Sequence, residues 1–219
     1  MGIRRYALNT IMVDKISSWK YTEDLVQESD VIRRARSRAD ELGVEAITAS
    51  VGIHLSILAR ALNAKAIVEV GTGAGVSGLW LLSASSNSVL ATIETESEHQ
   101  SLAKIAFEQA GIASSRLRLI NGRSVEVLTN LADEAYDLVF LDGDLDTLEE
   151  QVLQSHRLLR SGGVLAIAHA LWRDRVPDTA MGDENTVTYR NLIAKLLKSE
   201  GFITTISPIG DGLIIASKL

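Results

Sequence analysis

Ala66-Ile67-Val68-Glu69-Val70-Gly71-Thr72-Gly73-Ala74-Gly75-Val76-Ser77-Gly78 reads as a short apolar strand that breaks into a glycine-rich turn and then enters a helix. Glycines at such a strand end let the chain turn tightly and let a ligand approach the backbone. Downstream the same alternation repeats. Strand patterns fall at 66–70, 89–94, 116–120, 136–142 and 163–169, each followed by a helical pattern or an irregular stretch, and a last helical pattern leads to a strand pair closing the chain around Gly210-Asp211-Gly212. Apolar strands alternating with helices predict an α/β fold. The sheet is mostly parallel with helices on both faces, and its last strand is antiparallel because a tight turn joins the final pair.

Upstream, the spacing predicts a charged helix over 22–42, with Thr22 as N-cap and Gly43 as stop. An amphipathic helix follows in ITASVGIHLSILARALNA, with Ile53, Ile57 and Leu58 on one face. Residues 1–20 have no clear period and are expected to form a loose arm. Residues 1–219 are expected to form one domain, in which 1–65 make a helical cap and 66–219 the core. The longest irregular stretch, 170–184, is a candidate active-site loop.

Composition narrows the chemistry. With 219 residues, 46% hydrophobic, the chain can bury a sizeable core. It has no cysteine, so disulfides, thiolate metal sites and a cysteine nucleophile are excluded. The net charge of −6 argues against nucleic acid and anionic membranes as partners, since both demand a basic face. No stretch approaches the ~18 apolar residues of a membrane span. The first residues lack a signal-peptide pattern, so the expected location is cytoplasmic.

The glycine loop admits two cofactors. Gly73-x-Gly75-x-x-Gly78 satisfies the dinucleotide fingerprint, and Glu94, ending the second strand, lies at about the ~20-residue offset at which an acid meets a ribose. On that reading the chain is an NAD(P)-dependent oxidoreductase. Glu69 points the other way. A carboxylate at the mouth of the loop repels a pyrophosphate but suits the sulfonium and amino group of S-adenosylmethionine (SAM).

Five segments in order carry a resemblance: VEVGTGAGVSGLWLL, TIETESE, NGRSVEVLTNL, YDLVFLDGD and LLRSGGVLAIAHALW. Together they resemble the cation-dependent O-methyltransferases of the catechol and caffeoyl-CoA type over roughly residues 45–219. The resemblance implies a class I SAM-dependent fold of seven strands, a small aromatic hydroxyl acceptor, and pairing of two chains through their helices. It places Glu69, Gly71, Thr72, Gly73 and Ser77 around the methionine part of SAM. It places Glu94 at the ribose, Arg123 and Ser124 at the adenine edge, and Ile47 where a backbone group reaches the cofactor. Asp142 falls on an acid that binds the metal and lies beside the methyl group.

The chain departs from that pattern where ionisation of the acceptor is decided. The family's adjacent Asp-Asn metal pair aligns with Ala168 and His169, and its proton-accepting lysine aligns with Leu145. Alanine cannot ligate a metal, and imidazole favours transition metals over magnesium. A divalent metal is therefore doubtful, and no metal residue is assigned. Three readings are open. His169 acts as general base with Asp142 orienting; or Asp142, Asp144 and His169 build a rearranged metal site; or the protein binds SAM without transfer. Trp172 and Arg173 either wall an acceptor pocket or anchor the loop. Trp80 is expected in the core, and His54, His99 and His156 at the surface or half-buried. Arg33, Arg34, Arg36 and Arg38 are read as a solvated strip paired with Glu28, Asp40 and Glu41.

Overall fold

A computed structural model describes residues 16–219. Most of the expected loose arm lies outside the described residues, but 16–24 are helical. The single helix expected over 22–42 is divided. Residues 26–29 are not helical, and α1 spans Asp30–Glu41 with the extended Ser29, not Thr22, as its N-cap. The Ser29 hydroxyl accepts from the Ile32 N–H at 3.4 Å, satisfying a donor that a continuous helix would have bonded internally. Helix α2 spans Ala49–Ala61 behind its N-cap Thr48. Its buried face is Val51, Leu55 and Ala59, spaced by four; Ile57, expected inside, is 57% exposed because it lies on the opposite side of the turn.

The remaining elements follow the expected alternation: β1 Ala66–Val70, α3 Val76–Ser83, β2 Val89–Glu94, α4 Ser97–Gln109, β3 Leu117–Asn121, α5 Ser124–Leu128, β4 Tyr136–Leu141, α6 Leu148–Leu158, β5 Leu159–Ile167, α7 Glu184–Leu197, β6 Phe202–Ser207 and β7 Leu213–Lys218. They build one seven-stranded sheet in the order β3-β2-β1-β4-β5-β7-β6. Strands β1 to β5 pair in parallel, and β7 is antiparallel to both β5 and β6. Helix α6 stops before the double glycine expected to end it. Leu159 already pairs with Tyr136, and the register then shifts so that Val164 pairs with Leu138. Gly162, at φ +72, sits in that irregularity.

Alternation along each strand divides the core into two layers. Ile67, Leu138, Phe140 and Ala166 pack under α1 to α4, together with Leu55, Trp80 and Phe107. Val68, Val139, Leu141, Leu165 and Ile167 pack against α5, α6 and α7 through Leu128, Leu148, Leu158 and Leu192. Trp80 is core, as expected. Among the described residues no helix is long and apolar enough to cross a membrane.

The basic strip of α1 is only partly as read. Arg36 pairs with Glu28 at 2.5 Å, but Arg33 pairs with Asp30, and Arg38 donates to Gln109 on α4.

Candidate active site

The strand order reverses across β1, with β2 on one side and β4 on the other, and a parallel sheet opens a crevice at such a point beyond its strand ends. A cleft lies there. The glycine loop walls it with Gly71, Thr72, Gly73, Ala74, Val76 and Ser77. Glu94 and His99 close one side, Asp142 another, and Val44–Ile47 the top. The loop lies flat because Gly71 (φ +90) turns it where a Cβ would collide with the carbonyl oxygen of Asp142. Its N–H donates to Ile93 O at 3.0 Å, and the Asp142 N–H donates to Val70 O at 2.9 Å, so β1, β2 and β4 stay joined to the cleft floor.

Seven residues assigned from the sequence meet at this cleft: Ile47, Gly71, Thr72, Gly73, Ser77, Glu94 and Asp142. Glu69 does not line it. This carboxylate is fully buried just beneath the loop, where Thr92 donates to its Oε2 at 2.6 Å and Thr92 in turn shares a 2.6 Å hydrogen bond with Thr72. Its Oε1 is buried without a hydrogen-bond partner among the described residues. Burial pushes the Glu69 pKa up to about 7, against the pull of the Ser77 and Thr92 hydroxyls, with Asp142 and Glu94 adding repulsion. Glu94 is held in place by the loop itself. Its Oε2 accepts from the Gly73 N–H at 2.9 Å, and its Oε1 accepts from the N–H groups of Thr95 and Glu96. Arg123 and Ser124 stand at the start of α5 and do not line the cleft. Arg123 faces Glu126 at 3.6 Å, and Ser124 accepts from Gln151 at 3.1 Å. His99, read as a peripheral histidine, instead lines the cleft, 3.8 Å from Glu94.

His169 sits just past β5, with a left-handed backbone at φ +58. Its ring lies between two carboxylates: Nε2 is 3.3 Å from Asp142 Oδ1, and Nδ1 is 3.1 Å from Asp211 Oδ2. Burial works against a charged ring here, but hydrogen bonding and attraction from Asp142 and Asp211 overcome it and raise the pKa to about 9. Asp211 had no signal in the sequence beyond its place in a Gly-Asp-Gly turn. It became visible only when antiparallel pairing brought β7 against β5.

The loop after His169 is unusual. Trp172, Arg173 and Asp174 are also left-handed, and each such non-glycine residue costs about 1–2 kcal/mol. The β6–β7 turn holds the loop at several points: Asp211 Oδ1 accepts from the Arg173 N–H at 2.6 Å, Asp211 O from Leu171 N–H at 2.8 Å, and Gly212 O from Ala170 N–H at 3.0 Å. Trp172 makes the packing contacts expected of an anchor. Its ring packs on Tyr189 (centroids 5.6 Å apart) while turning an edge towards His169 at 6.5 Å. Arg173 lies over the Trp172 ring at 5.6 Å and reaches Glu45 at 2.8 Å, bridging the loop to the top of the cleft.

The donor set does not fit the divalent ion of the resembled family. Ala168 is buried and offers no donor atom, and its own carbonyl accepts from the Tyr189 hydroxyl at 3.0 Å. Both ring nitrogens of His169 already face carboxylates. Asp144 Oδ1 is engaged locally, accepting from the Asp146 N–H at 3.4 Å.

Comparison with known proteins agrees with this architecture. The O-methyltransferase family model matches residues 22–219. A Mycobacterium sp. (strain JLS) protein named "Putative O-methyltransferase" is 47% identical over 199 residues, covering 90% of each chain. A crystal structure of a Corynebacterium glutamicum protein superposes with a TM-score of 0.84 at 32% identity, covering 90% of this chain and 94% of that one. The O-methyltransferase TomG from Streptomyces achromogenes, involved in tomaymycin synthesis and solved with SAM, superposes at 0.78 with 26% identity, covering 92% and 96%. With a strand order, a glycine loop and a family match that all coincide, this chain belongs to the O-methyltransferase family.

Proposed function

We propose that the cleft binds SAM and that the protein transfers its methyl group to a hydroxyl of a small aromatic acceptor, with His169 as general base and no divalent metal. The observation that carries the cofactor reading is the convergence of Glu69 and Glu94 on one glycine loop. Glu94 presents a fixed carboxylate at the cleft wall, suited to accept from ribose hydroxyls. Glu69 lies beneath Thr72 and Ser77, where a cation above the loop draws it into its ionised form. A pyrophosphate in the same place meets that carboxylate instead. The N-terminus of α3 opens on the loop and suits the carboxylate of a methionine moiety. Arg123 and Ser124 are assigned to the adenine edge from the resemblance.

For the transfer, the acceptor oxygen attacks the methyl carbon as the carbon–sulfur bond breaks. The bond's electron pair stays on sulfur, which leaves as a neutral thioether. The protein orients the reactants and takes the hydroxyl proton. A phenol with a pKa near ~10 needs such a base at neutral pH. His169 Nε2 lies 3.3 Å from Asp142, which lines the cleft, and the ring takes the proton in its neutral form, a minor fraction at neutral pH because its pKa is raised to about 9. Leu145 supplies no proton transfer. The loop carrying Trp172 and Arg173 walls the acceptor side.

Calorimetric titration of the purified protein with SAM and with NAD tests the cofactor reading. One-to-one binding of SAM with none of NAD is expected; the reverse makes the chain a dinucleotide-binding protein. A cytoplasmic setting and a pair of chains in solution carry over from the sequence as parts of the same proposal, the pairing checked by sedimentation.

A further inference from the structure

We infer that Asp211, on the β6–β7 turn, is the positioning residue of the site: it keeps a proton on His169 Nδ1, so that Nε2 is the nitrogen that exchanges protons with the acceptor. This inference rests on the reading of His169 as the base.

Histidine works as a base only if one nitrogen is free, and the partner of the other nitrogen decides which one that is. His169 has a carboxylate at each end of its ring, and the two differ. Asp211 Oδ2 is the nearer, 3.1 Å from Nδ1, against 3.3 Å from Nε2 to Asp142. Asp211 is also the better fixed. Its Oδ1 accepts from the Arg173 N–H at 2.6 Å, its own backbone carbonyl accepts from Leu171, and its turn is tied down on both sides. The Gly210 N–H donates to Glu23 at 3.1 Å, and the Gly212 N–H donates to Ile209 O at 2.8 Å. Glu23 also receives the Ser50 hydroxyl, so the helical segment 16–24 and the start of α2 brace the turn from the far side.

Asp142 stands differently. It lines the cleft, so its charge faces whatever occupies the cleft. A sulfonium there competes with the imidazole for it, which favours loss of the Nε2 proton over the Nδ1 proton. His169 itself has a left-handed backbone, and three further left-handed residues follow in the loop that Asp211 holds through the Arg173 N–H.

The test reads the tautomer directly and needs no acceptor. Protein labelled with ¹⁵N-histidine is examined by long-range proton–nitrogen correlation, at a pH of about 10.5 where the ring is largely neutral. The His169 signals are assigned by their loss in His169→Gln. In the wild-type protein the proton is expected on Nδ1, with Nε2 showing the shift of an unprotonated nitrogen. In Asp211→Asn the amide keeps a carbonyl for Arg173 and turns its NH₂ to the ring, so the pattern inverts and the proton moves to Nε2. Asp211→Ala, with only Asp142 left, gives the same inversion and serves if the Asn variant folds poorly. An Nε2–H ring in the wild type, or an Nδ1–H ring retained in a folded variant, overturns the inference. The two readings separate cleanly: inversion in Asp211→Asn, with full turnover in His169→Ala, leaves the positioning correct and the base assignment wrong.

Discussion

Glu69→Gln is the substitution whose effect follows most fully from the structure. Wild-type Glu69 is fully buried, with a pKa raised from 4.5 to about 7, chiefly by desolvation. If SAM binds only the ionised form, affinity depends on the ionised fraction of the free protein. Raising the pH from 6 to 8 takes that fraction from about a tenth to about nine-tenths. SAM should therefore bind about tenfold more tightly at pH 8, a difference of about 1.4 kcal/mol. At pH 7 binding should release about half a proton. Titration calorimetry across that range, repeated in buffers of different ionisation enthalpy, reads both quantities. Glu69→Gln keeps the shape and the Thr92 contact but carries no titration, so its weaker affinity should be flat with pH. Flat wild-type affinity together with a buffer-independent heat would mean that Glu69 does not sense the ligand's charge.

Other outcomes follow from the same geometry. Gly71→Ala forces a Cβ against the Asp142 carbonyl at φ +90, so it should lower stability by about 2 kcal/mol or more in urea denaturation and abolish SAM binding. The raised pKa of His169 stabilises the fold below its unfolded value of 6.5, and this contribution is lost as the pH rises through about 9. The wild-type protein should lose about 2–3 kcal/mol across that window beyond what His169→Gln loses, as read by denaturation at pH 6.5 and pH 9.5.

The layers of this fold were legible because apolar alternation survives in every central strand. Val68 and Val70 point one way while Ile67 and Glu69 point the other, and AIVEV shows this without coordinates. Element ends were less legible because they are set by contacts distant in sequence. Ser29 interrupts a run that Thr22 was expected to cap, and Leu159 joins the sheet through Tyr136 rather than ending in a glycine stop. The same contrast holds at the site. Gly71, Thr72, Glu94 and Asp142 sit at strand ends, where the pattern itself names them. Asp211 lies 42 residues from His169, and their contact exists only because β7 inserts antiparallel between β5 and β6. His99 was hidden for a different reason: on a charged helix, a cleft-facing side chain and a solvent-facing one have the same period.

Metal-free transfer from SAM with His169 as the base is what we propose for this protein. Its most direct measurement uses SAM carrying a deuterated methyl group, EDTA throughout, and a panel of phenolic and catecholic acceptors read by mass spectrometry. Labelled methyl ether is expected from the wild-type protein in EDTA, with a loss of at least about a hundredfold in His169→Ala measured at saturating SAM. Product that forms only when magnesium is restored, or equal rates from the two proteins, would contradict it.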